Sequence, residues 1–313
     1  MQQTRSRPHP RAILIAGPTA SGKSALAVEL AKATRGVVIN ADSMQVYRDL
    51  RILSARPTEE AKAGIRHELY GFVGASDQYS VGRYVADARL HIETAQQSGE
   101  VAIIVGGTGL YFRSLLEGLS PVPPIDPDIR TRWREVAENL GPAHLVEALR
   151  LRDPVMAERL APTDSQRLVR ALEVIDSTGR SLSYWQQIPG EPIVGGEDVI
   201  KVVASVEREE LYARCDARFD AMMDEGALFE VARLQAMQLD RSLPIFGALG
   251  VRPLMAHLDG HAGLVEALTQ AKRETRHYAK RQLTWLRRNM IAWQSVKSTQ
   301  MKRNDLVNII LGD

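Results

Sequence analysis

The run Gly17-Pro18-Thr19-Ala20-Ser21-Gly22-Lys23-Ser24 has the types and spacing to hold a polyphosphate, because it fits G-x-x-x-x-G-K-[ST]. Its glycines let successive backbone N–H groups converge on phosphate oxygens. The helix expected to follow adds the positive end of its dipole. Lys23 supplies a full charge, and the Ser24 hydroxyl is placed to ligate Mg2+. The motif specifies a polyphosphate; it does not name ATP.

Enzymes that hydrolyse ATP usually carry an acid after a buried strand to hold magnesium and water. Here the apolar run Val101–Val105 ends instead in Gly106-Gly107-Thr108-Gly109. The acid nearest the loop in the predicted topology is Asp42, in Ala41-Asp42-Ser43. That position suits a group that meets a second substrate. Asp-Ser is equally a helix or turn cap, and Thr108 equally caps a helix starting near Gly109. The residues alone leave both pairs of readings open. A third feature is Lys272, Arg273, Arg276, Lys280, Arg281, Arg287 and Arg288 against the one acid Glu274. Such a helix suits contact with a nucleic-acid backbone, or is simply a solvated face. His67 and His91 have no metal-ligand spacing.

The elements that must position these groups read as α/β. Ala12–Ala16 is a strand, followed by the loop and a helix from about Gly22 to Thr34. Val37–Asn40 is a second strand, Ser80–Ser98 has helical spacing, and Val101–Val105 suits a strand buried on both faces of a parallel sheet. Ligands of such sheets bind at the carboxyl ends of strands, here Gly17, Asp42 and Gly106. After the stiff Ser120–Pro124 the chain is helical from Asp128 to Gly179, then flexible over Gly190–Gly196. Val199–Ser205 reads as a strand rejoining the sheet, followed by helices over Arg208–Asp224, Ala227–Leu239 and Ala262–Asn289. The expected architecture is a P-loop, nucleoside-kinase-like core with a parallel sheet (1–119 and 198–313), an inserted all-helical domain (120–197) and C-terminal helices.

Composition sets bounds. Of 313 residues 44% are hydrophobic and 25% charged, which is ordinary for a globular protein. The net charge of +2 says nothing by itself about nucleic acid. No apolar run approaches a membrane span. Met1–Arg11 is polar and basic, read as a frayed tail rather than a secretory signal. The one cysteine, Cys215, permits no internal disulfide. These points favour the cytoplasm, with no obligate protein partner evident.

Five blocks, in order, resemble the tRNA dimethylallyltransferases, also called isopentenylpyrophosphate tRNA transferases. They are Gly17–Ser24, Asp42–Arg48 (DSMQVYR), Gly106–Phe112 (GGTGLYF), Asp164–Val174 (DSQRLVRALEV) and Thr275–Arg287 (TRHYAKRQLTWLR). Two stretches depart from the pattern. Leu53–Pro57 stands where a glycine-threonine-alanine-lysine run is usual, and Phe246–Val251 where isoleucine-glycine-tyrosine is common.

The resemblance implies that Gly17–Ser24 holds the pyrophosphate of dimethylallyl pyrophosphate, with Mg2+, and that Arg218 reaches the same group. It implies that Asp42 takes a proton from the exocyclic amine of the adenine 3′ of the anticodon, in tRNAs reading codons that begin with U. Ser43, Met44 and Gln45 would line the adenine pocket, and Thr108 would touch the reacting nucleotide or the pyrophosphate. The tRNA anticodon stem-loop would be held by Arg130, Gln166, Arg167, Leu168, Val169 and Arg170 of the insertion, and by Arg276, His277, Lys280, Arg281 and Gln282. By their own character Leu168 and Val169 suit a helix core, Arg167 and Arg170 suit ion pairs with Asp164 or Glu173, and Trp285 and Leu286 suit packing. The rival readings are a P-loop small-molecule kinase and a non-catalytic RNA-binding module.

Overall fold

The computed structural model describes residues 10–297 and 303–312. The expected N-terminal tail falls outside them except for its last two residues. The chain divides into two units, residues 1–116 with 193–313, and residues 117–192.

The first unit is built on one sheet. Its strands are β1 (Ala12–Ala16), β2 (Gly36–Asn40), β3 (His67–Glu68), β4 (Val101–Gly106), β5 (Val199–Ser205) and β6 (Gln294–Lys297), in the order β3-β2-β4-β1-β5-β6. Every pairing is parallel; Ile13 lies opposite Ile103 on one side and Ile200 on the other. Successive side chains of a strand point to opposite faces. Ala12, Leu14 and Ala16 accordingly join the core on one face, while Ile13 and Ile15 join that on the other. Both faces of β1 are dry, which is why its sequence is unbroken apolar rather than alternating.

The helices of this unit are α1 (Lys23–Thr34), α2 (Glu59–Lys62), α3 (Val81–Gln97) and α4 (Gly109–Glu117), whose last residue lies beyond the boundary. The second unit holds α5 (Pro127–Asn139), α6 (Gly141–Arg152), α7 (Pro154–Arg159), α8 (Ser165–Thr178) and α9 (Leu182–Gln187). The first unit resumes with α10 (Arg208–Asp224), α11 (Ala227–Ala236), α12 (Val251–Leu258), α13 (Leu264–Asn289) and α14 (Arg303–Leu311). The Asp-Pro pairs that punctuate the insertion are helix starts. Asp126 and Asp153 accept backbone N–H groups from Asp128 and Met156, and Pro127 and Pro154 occupy the first helical position. The insertion has its own core, with Trp133, Leu145, Leu149, Met156, Leu168 and Leu172.

β3 and β6 carry no apolar run. They are edge strands, two and four residues long, and of β6 only Val296 is buried. Short, polar edges lack the pattern by which a strand is read. α11 stops at Ala236 instead of running to Leu239, and Gln238 lies in the left-handed region at φ 51. The two stretches that depart from the family pattern supply core residues. Leu53, Phe246, Ala248 and Val251 are buried on the same face as Phe219.

One buried carboxylate organises the turn after Leu50. Glu230 of α11 is 8% exposed. Its Oε1 accepts the N–H groups of Arg51 (2.6 Å) and Ile52 (2.8 Å), and its Oε2 that of Leu53 (2.9 Å). The carbonyls of Ser54 and Ala55 that follow each receive Gln45 Nε2 at 3.0 Å. Glu230→Ala would leave three N–H groups without their acceptor. The expected result is a loss of about 3 kcal/mol or more, read as a fall in Tm, with Glu230→Gln milder because it keeps the shape and one acceptor.

Candidate active site

The phosphate loop leaves β1 at Gly17, whose N–H donates to Gly106 O at 3.2 Å. Ala20 takes a left-handed φ of 62 and Gly22 one of 81, so the loop turns back over itself before α1 begins. Ser21 is fully buried beneath it. Lys23 Nζ donates to Pro18 O at 3.1 Å, closing the loop across its own mouth, and Ser24 is exposed at the first turn of α1. A free, exposed hydroxyl beside a folded-back ammonium is an arrangement that a phosphate can enter.

Asp42 stands past the end of β2, and buried Asn40 holds it there. Asn40 Oδ1 accepts Asp42 N–H at 2.8 Å, while its Nδ2 donates to Asp42 O at 2.9 Å and Leu69 O at 3.1 Å. Asp42 Oδ1 accepts Met44 N–H at 2.9 Å. Among the described residues none donates to its Oδ2. The neighbouring strand end comes very close. A Cβ on Gly106 would lie 2.0 Å from Ala41 O, so only glycine lets β4 and the Asp42 turn share this space. Thr108 then reaches across: its Oγ1 accepts Ser43 N–H at 3.0 Å, and its own N–H donates to Ala41 O at 3.2 Å. Thr108 therefore braces the Asp42 turn with its hydroxyl, while its backbone carbonyl accepts Tyr111 N–H at 3.0 Å in the first turn of α4.

The electrostatics join these parts. Burial lowers the Lys23 ammonium from its usual range to about 8, with Asp42 pulling it back up and Arg218 pushing it further down. Burial also lowers the Arg218 guanidinium, and Cys215 and Asp42 partly offset this. Lys23, Asp42 and Arg218 of α10 are thus near enough to feel one another's charge. Three tyrosines also feel the Asp42 charge. Tyr70, Tyr111 and Tyr278 are each pushed well up, first by burial and then by Asp42, and keep their protons as hydrogen-bond donors. Tyr111 and Tyr278 lie in the Gly106–Phe112 and Thr275–Arg287 blocks, but their nearness to Asp42 leaves no spacing in the sequence. Tyr111 stacks on Tyr84 with ring centroids 3.6 Å apart.

The remaining candidates separate. On α13, His277, Lys280 and Arg281 are exposed and line a groove of about 560 Å3 with Trp285 and Arg288. Arg276 is held by Asp216, its Nη1 lying 2.7 Å from both carboxylate oxygens. Gln282 is 7% exposed and bonds to the chain's own backbone. Expected as an RNA contact, it faces inward, because its side of α13 meets the phosphate loop and the Gly107 backbone. Ser43, Met44 and Gln45 follow Asp42 half-buried, and both donors of the Gln45 amide are taken by the Ser54 and Ala55 carbonyls. In the helical unit Arg130, Gln166 and Arg167 are exposed. Arg167 pairs with Asp164 (3.3 Å) and Arg170 with Glu173 (3.5 Å). Leu168 is 0% exposed and Val169 packs against the same core. The amphipathic period of α8 therefore removes Leu168 from any binding surface.

The sequence model of one family, described as IPP transferase, matches residues 45–289. A tRNA dimethylallyltransferase of Parvibaculum lavamentivorans is 50% identical over 295 residues, covering 94% of this chain and 93% of that protein. Two solved structures are similar. One is a full-length tRNA isopentenylpyrophosphate transferase of Bacillus halodurans, 32% identical, with TM-score 0.70 over 96% of this chain and 94% of that one. The other is a eukaryotic dimethylallyltransferase acting on tRNA, 28% identical, with TM-score 0.79 over 92% of this chain and 74% of that one.

The depressed Lys23 has a consequence for anion binding. Only its protonated form adds charge to the loop, and that form is lost as pH rises through about 8. Binding a polyphosphate there must therefore weaken above pH 8 and take up a proton, by as much as about tenfold per pH unit. Titration calorimetry with inorganic pyrophosphate in buffers of different ionisation enthalpy checks this. The trend should flatten in Lys23→Arg, whose cation does not titrate in that range, leaving only the pH dependence of pyrophosphate itself.

Proposed function

As this chain belongs to the IPP transferase family, we propose that it moves a dimethylallyl group from dimethylallyl pyrophosphate to the exocyclic amine of the adenine 3′ of the anticodon, in tRNAs reading codons that begin with U. Prenyl transfer in tRNA modification is its reaction class. The observation that carries the finer reading is that the phosphate loop and the Asp42 turn meet at the end of β4, where Gly17 N–H donates to Gly106 O and Thr108 N–H donates to Ala41 O. A group suited to a departing pyrophosphate and a group suited to an attacking amine therefore stand on neighbouring strand ends.

Loop N–H groups, Lys23 and Arg218 bind the pyrophosphate and take up its charge as the allylic C–O bond breaks. The positive charge left behind spreads over the five-carbon unit. The adenine nitrogen forms the new C–N bond and releases one proton, and the Asp42 carboxylate, oriented through Met44 N–H, accepts it. The products are prenylated adenine and pyrophosphate. Ser24 would hold Mg2+ against the same pyrophosphate. Among the described residues no group of three or more His, Cys, Asp or Glu could hold a metal ion. One exposed hydroxyl suits a magnesium that takes its other ligands from substrate phosphates and water. Once bound, the ion neutralises charge on the leaving group.

An adenine stacked in an anticodon loop must be flipped out to meet Asp42, at a cost of a few kcal/mol that contacts around the loop repay. Ser43, Met44 and Gln45 surround the base in this reading, and Thr108 holds their turn. The exposed His277, Lys280 and Arg281 would take RNA phosphates, as would Arg130, Arg167 and Arg170 of the helical unit beside Gln166. The Arg167–Asp164 pair is exposed, worth little and exchanges readily for phosphate. Arg276 acts here through Asp216, as a tie between α13 and α10. No described helix is long and apolar enough to cross a membrane. Together with a tRNA substrate, this favours work in the cytoplasm.

Asp42→Ala should lower transfer by about 10²- to 10⁴-fold, the usual share of a general base, with tRNA affinity little changed. Mass spectrometry of tRNA after incubation with dimethylallyl pyrophosphate and magnesium reads the product. Full transfer by the variant would remove Asp42 from the role of base. RNA left unmodified by the wild type, with consumption of ATP, would favour a kinase.

A further inference from the structure

Gln282 sits well inside α13, and both ends of its amide are engaged across the length of the chain. Its Oε1 accepts Thr19 N–H at 2.9 Å, and its Nε2 donates to Gly107 O at 3.0 Å. Thr19 belongs to the phosphate loop. Gly107 directly precedes Thr108, whose Oγ1 accepts Ser43 N–H at 3.0 Å beside Asp42. One side chain therefore joins the loop that suits the leaving group to the turn that suits the acceptor. The backbone is shaped to admit it, since a Cβ on Gly107 would lie 2.3 Å from Gln282 Nε2. A primary amide offers both an acceptor and a donor at neutral pH. A carboxylate accepts and cannot donate, and an aliphatic chain does neither.

We propose that Gln282 is a positioning residue of the transfer reaction, which clamps the phosphate loop and the Gly107–Thr108 turn at a fixed separation so that pyrophosphate and attacking amine stay in line. The inference rests on the reaction proposed above. Small losses of alignment between reacting groups are expensive, so a clamp between the two halves acts on rate without touching either substrate. Its effect is distinct from that of the exposed cations on the same helix, which act on RNA affinity.

The test uses the full chain, with steady-state transfer measured against dimethylallyl pyrophosphate and tRNA in turn, tRNA Kd, and calorimetric Kd for inorganic pyrophosphate. Gln282→Leu should lower kcat/KM for dimethylallyl pyrophosphate about tenfold or more, as expected for two lost hydrogen bonds, and weaken pyrophosphate binding. Its tRNA Kd should stay within about twofold of wild type. Gln282→Glu should be impaired at pH 8 and regain activity relative to wild type toward pH 5, because a protonated carboxyl restores the donor. A purely structural role would lower Tm without that pH-dependent rescue, and a flat ratio across pH would overturn the proposal. So would tRNA Kd weakened tenfold with the constants for dimethylallyl pyrophosphate and pyrophosphate unchanged, which would make Gln282 an RNA contact. Should wild type fail to modify tRNA, the functional reading falls separately. Pyrophosphate affinity of Gln282→Leu then decides the clamp, weaker supporting it and equal overturning it.

Discussion

Lys23 and Arg218 lie within range of the Asp42 charge, and burial is the first cause of the lowered pKa of both cations. Two positive groups and one carboxylate leave this region short of negative charge. A polyphosphate supplies what is missing. The same imbalance suits chemistry in which negative charge grows on a departing group, since donors set in place beforehand need no reorganisation as the bond breaks. Asp42 stands where the proposed reaction needs an acceptor for the amine proton.

Backbone crowding keeps these charges in place. β1, β2 and β4 end together, and the Gly106 position lies so near Ala41 O that no side chain could stand between them. Asn40 spends its amide on the Asp42 main chain and on Leu69 O, and Thr108 spends its hydroxyl on Ser43 N–H. Polar groups this deep must be paired, and pairing with backbone gives each a single orientation. Asp42 is thus held by strand ends, where positions are more rigid than on loops.

α13 has a different character on each side. Inward it buries Ala271, Thr275, Ala279, Gln282 and Leu286, and Gln282 brings this face against the phosphate loop. Outward it carries His277, Lys280 and Arg281. A basic face and a clamp on the reaction centre are therefore one rigid body within the first unit. The helical unit has a separate core, and its arginines are divided between pairs that tie α5 and α6 to α8 and the exposed Arg167–Asp164 pair, which costs little to open.

The sequence alone determined what is local. The phosphate loop is a contiguous motif, the buried strands are unbroken apolar runs, and Asp-Pro pairs start helices whatever surrounds them. β5 could be read as a strand rejoining the sheet after the insertion, and α10 over Arg208–Asp224, because their patterns span enough residues to average out exceptions. Tertiary structure decided which way individual side chains face and what they spend their polar groups on. It turned Gln282 inward to a partner 263 positions away in the chain, occupied Arg276 with Asp216, sank Leu168 into a core and gathered Tyr70, Tyr111 and Tyr278 within reach of the Asp42 charge. A helix exposes or hides a residue according to what packs against it, and a hydrogen bond across hundreds of residues leaves no spacing in the sequence to be read.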